Sequence, residues 1–200
     1  MGGGQALSNN IGVKQSEYVD NTEHGYINGS IEIYAGASFS GMISKNELKT
    51  TDGLEKWKVI TSVMPVDDGF DKQRKVFGLS RTYILKPNTV PKGSFPVLKK
   101  FDTEIECKSF QLYCNTKLVR FLYFIGICGK TISEEFWRHI PDQKNWDKIY
   151  EDRPLSGYKP DENGEYTDSN GVKHCSLYIK YKLSQDDINL IESVIKAREV

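Results

Sequence analysis

The stretch from Thr103 to Cys128, TEIECKSFQLYCNTKLVRFLYFIGIC, decides the fold class of this chain. It opens with Thr103 and Glu106, whose spacing is that of a capping box, in which each side chain satisfies a backbone amide at the start of a helix. The apolar spacing that follows predicts an amphipathic helix. We expect three of its side chains to point inward: Ile105, Phe110 and Tyr113.

A second helix is predicted directly after the first. Asn115 and Thr116 interrupt the pattern, and the hydroxyl of Thr116 can cap a helix from Lys117 to Cys128. This helix is apolar on nearly all sides, which is typical of a helix buried on most of its faces. Because an unpaired buried charge is costly, we expect Arg120 to pair with a carboxylate or with carbonyls at a helix end. The predicted core residues of this helix are Phe121, Leu122, Phe124 and Ile125.

Alternating polar and apolar residues predict strands before the two helices. Short strands are expected at Ile31–Tyr34, after a turn at Asn28-Gly29, and at Lys58–Val63. A brief helical stretch around Ser44–Leu48 lies between them. A longer strand is expected at Val76–Leu85, with side chains 81 and 83 on one face and 82 and 84 on the other. Three prolines then indicate an extended loop: Pro87, Pro91 and Pro96.

The C-terminal third predicts a hairpin, a strand and a closing helix. Turns are expected at Asn163-Gly164 and Asn170-Gly171, and a strand at Ser176–Lys182. Ser184 and Asp187 have the spacing of a helix N-cap. The helix that they open is amphipathic, and its expected core face carries Ile188, Ile191, Val194 and Ile195.

These elements predict one α+β domain. We expect a mixed or antiparallel sheet packed against a buried helical hairpin, with a C-terminal amphipathic helix. Residues 1–25 are rich in Gly, Asn and Ser and are expected to be a flexible segment. Residues 26–200 are expected to form a single domain, and residues 151–175 an exposed acidic insertion within it.

The charge balance hides two opposite blocks. The chain has 27 basic and 27 acidic residues and a formal net charge of zero, which alone argues against a strongly basic nucleic-acid binder. However, the segment from Lys72 to Lys100 has eight basic residues and no acidic one, whereas residues 151–170 have six acidic and two basic ones. The sequence therefore predicts a polarised molecule with a basic side that can contact phosphates.

Motifs for catalysis and metal binding are mostly absent. The four cysteines form no Cys-x-x-Cys pair and the three histidines are scattered, so no zinc site is expected. A metal-dependent nuclease would need Asp67 or Asp68 with Glu106-Cys107-Lys108, but that last triplet falls in a predicted helix rather than on a strand. The N-terminal residues lack the apolar region of a signal peptide. The apolar run Leu118–Cys128 is shorter than the ~18 residues of a membrane-spanning helix. We therefore expect a cytoplasmic protein with no membrane partner.

Six blocks of the chain form an ordered pattern, one of which is Thr116–Leu122, TKLVRFL. The others are Ile43–Asn46 with Lys56–Ile60, Arg81–Leu85, Glu104–Cys114, Ile140-Pro141 ahead of Asn145–Asp147, and Leu177–Ser184 leading into Asp187-Ile188 and Ile191-Glu192. In this order the blocks resemble the C-terminal specificity region of adenine-specific DNA methyltransferases from restriction-modification systems, including fused restriction-methylase enzymes. The acidic stretch Arg153–His174 interrupts the family's pattern.

The resemblance implies a target-recognition domain, the part of such an enzyme that reads double-stranded DNA. The bacterial family's catalytic half is missing, so this chain alone is not expected to be an enzyme and no cofactor is expected in it. S-adenosylmethionine is implied only for a methyltransferase catalytic domain or subunit that would be its partner and would flip the target adenine.

The candidate DNA contacts combine lysines for phosphates with arginines for bases. They are Lys56, Lys58, Arg74, Lys75, Arg81, Tyr83, Lys86, Lys130, Trp137 and Arg138. Lys56 and Lys58 are expected to face solvent on either side of a buried Trp57. Two alternatives remain open: a protein-interaction or specificity subunit that docks on a methylase, and the small metal-dependent nuclease.

Overall fold

The computed structural model describes residues 30–34, 39–62, 76, 78–92, 95–126, 137 and 139–198. The segment 1–25 and the predicted Asn28-Gly29 turn lie outside these residues. The described part has the α+β fold expected from the sequence, with three small sheets and four helices. Within it, no helix is long and apolar enough to cross a membrane.

Within the described residues, nine strands form three sheets of three strands each. The first sheet has the order β2-β1-β5, the central sheet β4-β3-β6 and the third sheet β7-β9-β8. Their bounds are β1 Ile31–Tyr34, β2 Phe39–Ile43, β3 Trp57–Thr61, β4 Thr82–Leu85, β5 Thr89–Pro91, β6 Val97–Phe101, β7 Ile149–Glu151, β8 Glu165–Thr167 and β9 Lys173–Ser176. A short 3₁₀ helix, Lys45–Glu47, follows β2 where a helical stretch was predicted.

The central sheet separates two hydrophobic cores. On one face, Ile60 of β3 and Val97 of β6 pack with buried residues of the first sheet such as Ile33. On the other face, Val59 and Leu98 pack in the larger core, to which the helices contribute. Strand alternation produces this division, because successive side chains point to opposite faces.

The helices with both ends inside the described residues are α1 Glu104–Asn115, α2 Lys117–Gly126, α3 Leu177–Lys180 and α4 Gln185–Val194. The predicted capping boxes are present at the starts of α1 and α4. Phe110 and Tyr113 are fully buried as predicted, but Ile105 is 70% exposed and its inward prediction is wrong. The helical repeat places Ile105 about 140° from Phe110 around the helix axis, so it cannot share that face.

The start of α2 is capped from two directions. The Thr116 hydroxyl accepts the amide of Val119 at 3.3 Å, which confirms the predicted cap. The first two amides of the helix donate to the carboxylate of Asp152, at 2.7 Å from Lys117 and 3.0 Å from Leu118. Desolvation by burial raises the pKa of Asp152, and these hydrogen bonds oppose the rise.

The second helix contacts α1 and α4, and Ile125 is the one exposed residue in Lys117–Gly126. Of the four predicted core residues, Phe121 and Leu122 are half-buried and pack against the larger core, and Phe124 is half-buried. Ile125 is 59% exposed, so its prediction as a core residue is wrong. Arg120 is 1% exposed, and its Nε donates to the carbonyl oxygens of residues 115 and 116 at 2.9 and 3.3 Å. These carbonyls end α1, so the predicted pairing with a helix end is confirmed.

The predicted strand Val76–Leu85 is shorter than expected. Only Thr82–Leu85 is a strand of the central sheet, while Val76 makes an isolated parallel bridge with Ile195. Gly78 has φ +76 and interrupts the extended backbone between them. The predicted faces are confirmed: side chain 83 packs with the first-sheet core and side chain 84 with the larger core. The predicted proline-rich loop contains β5, and β6 follows it directly.

The C-terminal third forms the third sheet. The predicted hairpin is present as β8 and β9, and both predicted turns are tight ones with φ near +78 at Gly164 and Gly171. The predicted strand Ser176–Lys182 is wrong beyond its first residue, because Leu177–Lys180 is helical. Most of the predicted insertion 151–175 is exposed or half-buried, but His174 and Cys175 are buried in the sheet.

Candidate nucleic-acid interface

The ends of several strands from the first and central sheets lie together at one edge of these sheets. β1 and β5 are parallel and pair Tyr34 with Pro91, so both end at this edge. β3 is antiparallel to β4 and pairs Thr61 with Thr82, so β3 ends where β4 begins. The amide of Thr61 also donates to Pro96, just before β6. We name this edge the loop edge.

Three aromatic side chains join the two sheets at the loop edge. Tyr34 of β1 lies 5.7 Å from Tyr83 of β4 and 5.2 Å from Phe95, and the last two lie 6.5 Å apart, measured between ring centroids. All three are half-buried. Burial raises the pKa of the Tyr34 hydroxyl, with a smaller contribution from Tyr83. The Tyr34 hydroxyl therefore stays neutral, and the cluster offers an aromatic surface that is partly open to solvent.

Two basic residues flank this aromatic cluster. Arg81 is exposed and directly precedes β4, whereas Lys92 is half-buried and directly follows β5. The amide of Lys92 donates to the carbonyl of Tyr34 at 2.8 Å, which fixes its backbone beside the cluster. Among the described residues no carboxylate pairs with either side chain. The described part of the chain therefore leaves both charges without a carboxylate partner.

Other basic residues of the Lys72–Lys100 segment are neutralised within the fold. Lys86 and Lys100 lie at the opposite edge of the sheets and pair with Glu32 at 2.9 Å and Asp52 at 2.7 Å. Lys99 pairs with Asp142 at 3.1 Å and lies over three aromatic rings, the nearest being that of Trp146 at 5.0 Å. The net charge of the segment therefore overstates the basicity of the surface. Among the described residues, the basic side chains of this segment that have no carboxylate partner lie at the loop edge.

Several predicted DNA contacts need correction or lie outside the described residues. Lys58 is fully buried, and its ammonium donates to the carbonyls of residues 54 and 56 at 3.2 and 2.8 Å, so the expected solvent-facing position is wrong. It shares the β3 face of Ile60, which the first sheet covers. Trp137 is also fully buried, 5.7 Å from the ring of Tyr123, and is not a surface residue. Arg74, Lys75, Lys130 and Arg138 lie outside the described residues.

The remaining predicted contacts divide between the two edges. Arg81 and Tyr83 lie together at the loop edge. Lys56 and Lys86 lie at the opposite edge, where each forms a salt bridge, Lys56 with Asp102. Sequence reasoning did not select Tyr34 or Lys92, because their place beside Tyr83 depends on the parallel pairing of β1 with β5. The β1 side chains Ile31 and Ile33 alternate visibly, but no local pattern identifies their partner strand.

The backbone around Arg81 is held by neighbouring side chains. The hydroxyl of Thr61 donates to the carbonyl of Arg81 at 3.2 Å. On the next residue, Gln111 of α1 donates to the carbonyl of Thr82 at 3.0 Å, and Asn115 donates to the Thr82 hydroxyl at 3.2 Å. Arg81 therefore has a fixed backbone and a solvent-exposed side chain, which lowers the conformational entropy lost on binding.

The described residues give no support to metal chemistry. Glu106 of the nuclease-like triplet lies on α1, where its carboxylate accepts the amide of Thr103 at 3.1 Å in the capping box. No group of three or more potential metal ligands occurs in the described part of the chain. Burial raises the pKa of the Cys107 thiol to about 12, so this cysteine is no ready nucleophile.

Comparison with known proteins gives no relative. No protein-family model, no curated protein and no solved structure matches this chain.

Proposed function

We propose that this chain is a sequence-reading, double-stranded DNA-binding domain, and that it acts as the target-recognition domain of an adenine-specific DNA methyltransferase of a restriction-modification system. The observation that carries the DNA-binding part is the loop edge. There an exposed arginine on a fixed backbone lies beside a half-buried aromatic cluster and a second cation, and no carboxylate among the described residues pairs with either cation. The ordered resemblance of six blocks supports the methyltransferase part.

Arg81 has the chemistry needed to read a base. A guanidinium can donate two parallel hydrogen bonds to O6 and N7 of guanine in the major groove, and each such pair contributes ~1–3 kcal/mol of discrimination. Lys92 adds a compact charge suited to a phosphate, which fixes the register of the protein on the duplex without reading sequence. The ring of Tyr83 offers an apolar contact to a thymine methyl group or a sugar.

The proposed partner performs the chemistry. In this arrangement the domain grips the duplex through the loop edge, and a methyltransferase catalytic domain or subunit that binds S-adenosylmethionine modifies a flipped adenine. This chain contributes site selection and no reaction step. A localisation in the cytoplasm, where bacterial DNA lies, belongs to the same proposal.

A selection from duplexes containing twelve random base pairs tests whether the protein reads sequence. We expect the wild-type protein to enrich one motif, and Arg81→Ala to reduce discrimination at one base pair of that motif by about tenfold, in line with the loss of one bidentate contact. Arg153→Ala, which removes an exposed arginine from another surface, is the matched control. Equal affinity of the wild-type protein for all duplexes would refute the proposal.

A matched pair of lysine variants tests which edge of the sheets meets DNA. Lys92→Ala is expected to weaken binding to all duplexes alike and to lower the slope of log affinity against log salt by about one. Lys86→Ala removes the same charge from the opposite edge, where Glu32 already neutralises it, and is expected to change the slope little. A larger effect of Lys86→Ala would place the DNA on the opposite edge. Binding to a separate methylase domain without any DNA binding would favour the docking-subunit alternative.

A further inference from the structure

The four residues leading into β4 have an unusual hydrogen-bond pattern. Thr61 and Gln111 hold the carbonyls of Arg81 and Thr82, as described above. The two preceding carbonyls accept from one guanidinium, because Arg198 donates through Nη2 to Leu79 at 2.6 Å and through Nη1 to Ser80 at 3.4 Å. Four successive carbonyls on both sides of the Arg81 side chain are therefore held by side chains rather than by a neighbouring strand alone.

Arg198 also joins this segment to α1. Its Nη1 donates to Oδ1 of Asn115 at 3.2 Å, while Nδ2 of Asn115 donates to the Thr82 hydroxyl at 3.2 Å. Asn115 thus connects Arg198, which binds the carbonyls that precede Arg81, with Thr82, which follows Arg81. A guanidinium suits this position because its planar fork offers several donors at fixed angles, which a lysine ammonium does not.

The chain around Arg198 is itself anchored to the same region. The amide of Val76 donates to Val194 at 2.8 Å, and the amide of Lys196 donates back to Val76 at 2.8 Å. Ile195, between them, is fully buried. The guanidinium of Arg120 donates to the carbonyl of Lys196 at 3.0 Å. These contacts fix the segment 194–198 beside the backbone that leads to Arg81.

We propose that Arg198 is a positioning residue for DNA sequence recognition, because it fixes the backbone from which Arg81 reaches its base. The inference rests on the proposed function. Arg198 touches no base in this arrangement. Its loss removes the guanidinium donor from the carbonyl of Leu79 and leaves the carbonyl of Ser80 with weaker support, which includes the Thr61 hydroxyl at 3.4 Å. The Arg81 guanidinium then samples more orientations and loses the bidentate geometry. Phosphate contacts by lysines such as Lys92 tolerate this freedom, because an ammonium binds as a point charge.

The test compares specific with non-specific binding of the same variant. The probes are the duplex most enriched by the wild-type protein, its single base-pair variants, and a poly(dI-dC) duplex. Arg198→Met is expected to lower the affinity ratio between the enriched duplex and its variants by about tenfold, while affinity for poly(dI-dC) and its salt slope stay within twofold. Arg198→Lys is expected to lose about threefold. Arg153→Met is the control and is expected to keep the wild-type ratio.

Two results separate the failure of this inference from that of the proposed function. If the wild-type protein enriches a motif and Arg198→Met keeps the full ratio, the positioning role is refuted and the DNA-binding function stands. If the wild-type protein enriches nothing, both proposals fail together. If Arg198→Met does not fold, as seen by circular dichroism, the Arg198→Lys ratio decides: a ratio equal to that of the wild-type protein refutes the role, and a loss of about threefold supports it.

Discussion

Replacing Arg120 by Met tests how a buried cation holds three parts of the fold together. The substitution keeps most of the side-chain volume but removes the donors to α1 and to the C-terminal segment. The carbonyl of Thr116 keeps its helical partner, the amide of residue 120 at 3.2 Å. The carbonyls of Asn115 and Lys196 lose the guanidinium donors at 2.9 and 3.0 Å.

The magnitude follows from these two acceptors. A hydrogen bond to a charged group contributes ~1.5–3 kcal/mol, and a buried acceptor left without its donor costs about as much. Desolvation lowers the pKa of Arg120, which means that burying this charge already costs free energy that methionine avoids. The expected net loss in the free energy of unfolding is therefore about 3 kcal/mol, or a fall in Tm of ~6–12 °C for a domain of this size.

Urea denaturation followed by circular dichroism measures this loss, and hydrogen exchange locates it. We expect faster exchange of the Lys196 amide, because the C-terminal segment loses its contact with α2. Lys108→Met is the control, since Lys108 is exposed on α1 and pairs only with Glu104 among the described contacts. A loss below ~0.5 kcal/mol for Arg120→Met would refute the reasoning and would mean that these carbonyls find other donors.

Three further predictions concern stability. Asp152→Ala removes the acceptor of the first two α2 amides and is expected to cost about 1–2 kcal/mol in urea denaturation; an unchanged midpoint would contradict this cap. Gly78→Ala is expected to cost about 2 kcal/mol, because φ is +76 and a Cβ would overlap the carbonyl of Arg120; equal stability would show that the turn can relax. The free energy of unfolding is expected to fall as the pH drops below about 4.5, because hydrogen bonds lower the folded-state pKa of five carboxyl groups and the unfolded chain therefore binds more protons than the folded one. These groups are Glu32, Asp52, Asp147, Asp168 and Asp187. Thermal denaturation at decreasing pH measures the effect, and a Tm that stays constant down to pH 3 would contradict it.

Local signals predicted the elements that local interactions determine. The capping pairs at Thr103 and Ser184 placed two helix starts correctly, because the hydrogen bonds involved span only three residues. Strand alternation gave the correct faces of β4 for the same reason. The wrong strand at Ser176–Lys182 shows the limit: its aromatic and β-branched residues favour a strand, but the amide of Tyr178 donates to Asp152 and the chain continues as a helix.

Features that depend on distant partners could not be predicted. Lys58 looks like a solvent-facing lysine on a strand, and only the packing of the first sheet on β3 makes that face interior. The neutralisation of Lys86 depends on Glu32, which lies 54 residues away in sequence. A charge count along the sequence therefore located the basic segment but could not tell which of its cations remain available.

The hydrogen bonds between Arg198 and the residues before Arg81 also bear on the order in which the molecule forms. Arg198 and Leu79 are 119 residues apart, and a ribosome adds ~5–20 residues per second. The central sheet can pair its strands once residue 101 has emerged, several seconds before residue 198 exists. The proposed reading surface is consequently among the last parts of the domain to reach its final geometry. A nascent chain that already has its sheets would still lack the Arg198 hydrogen bonds ahead of Arg81, and would be expected to discriminate less between DNA sequences until residue 198 has been added.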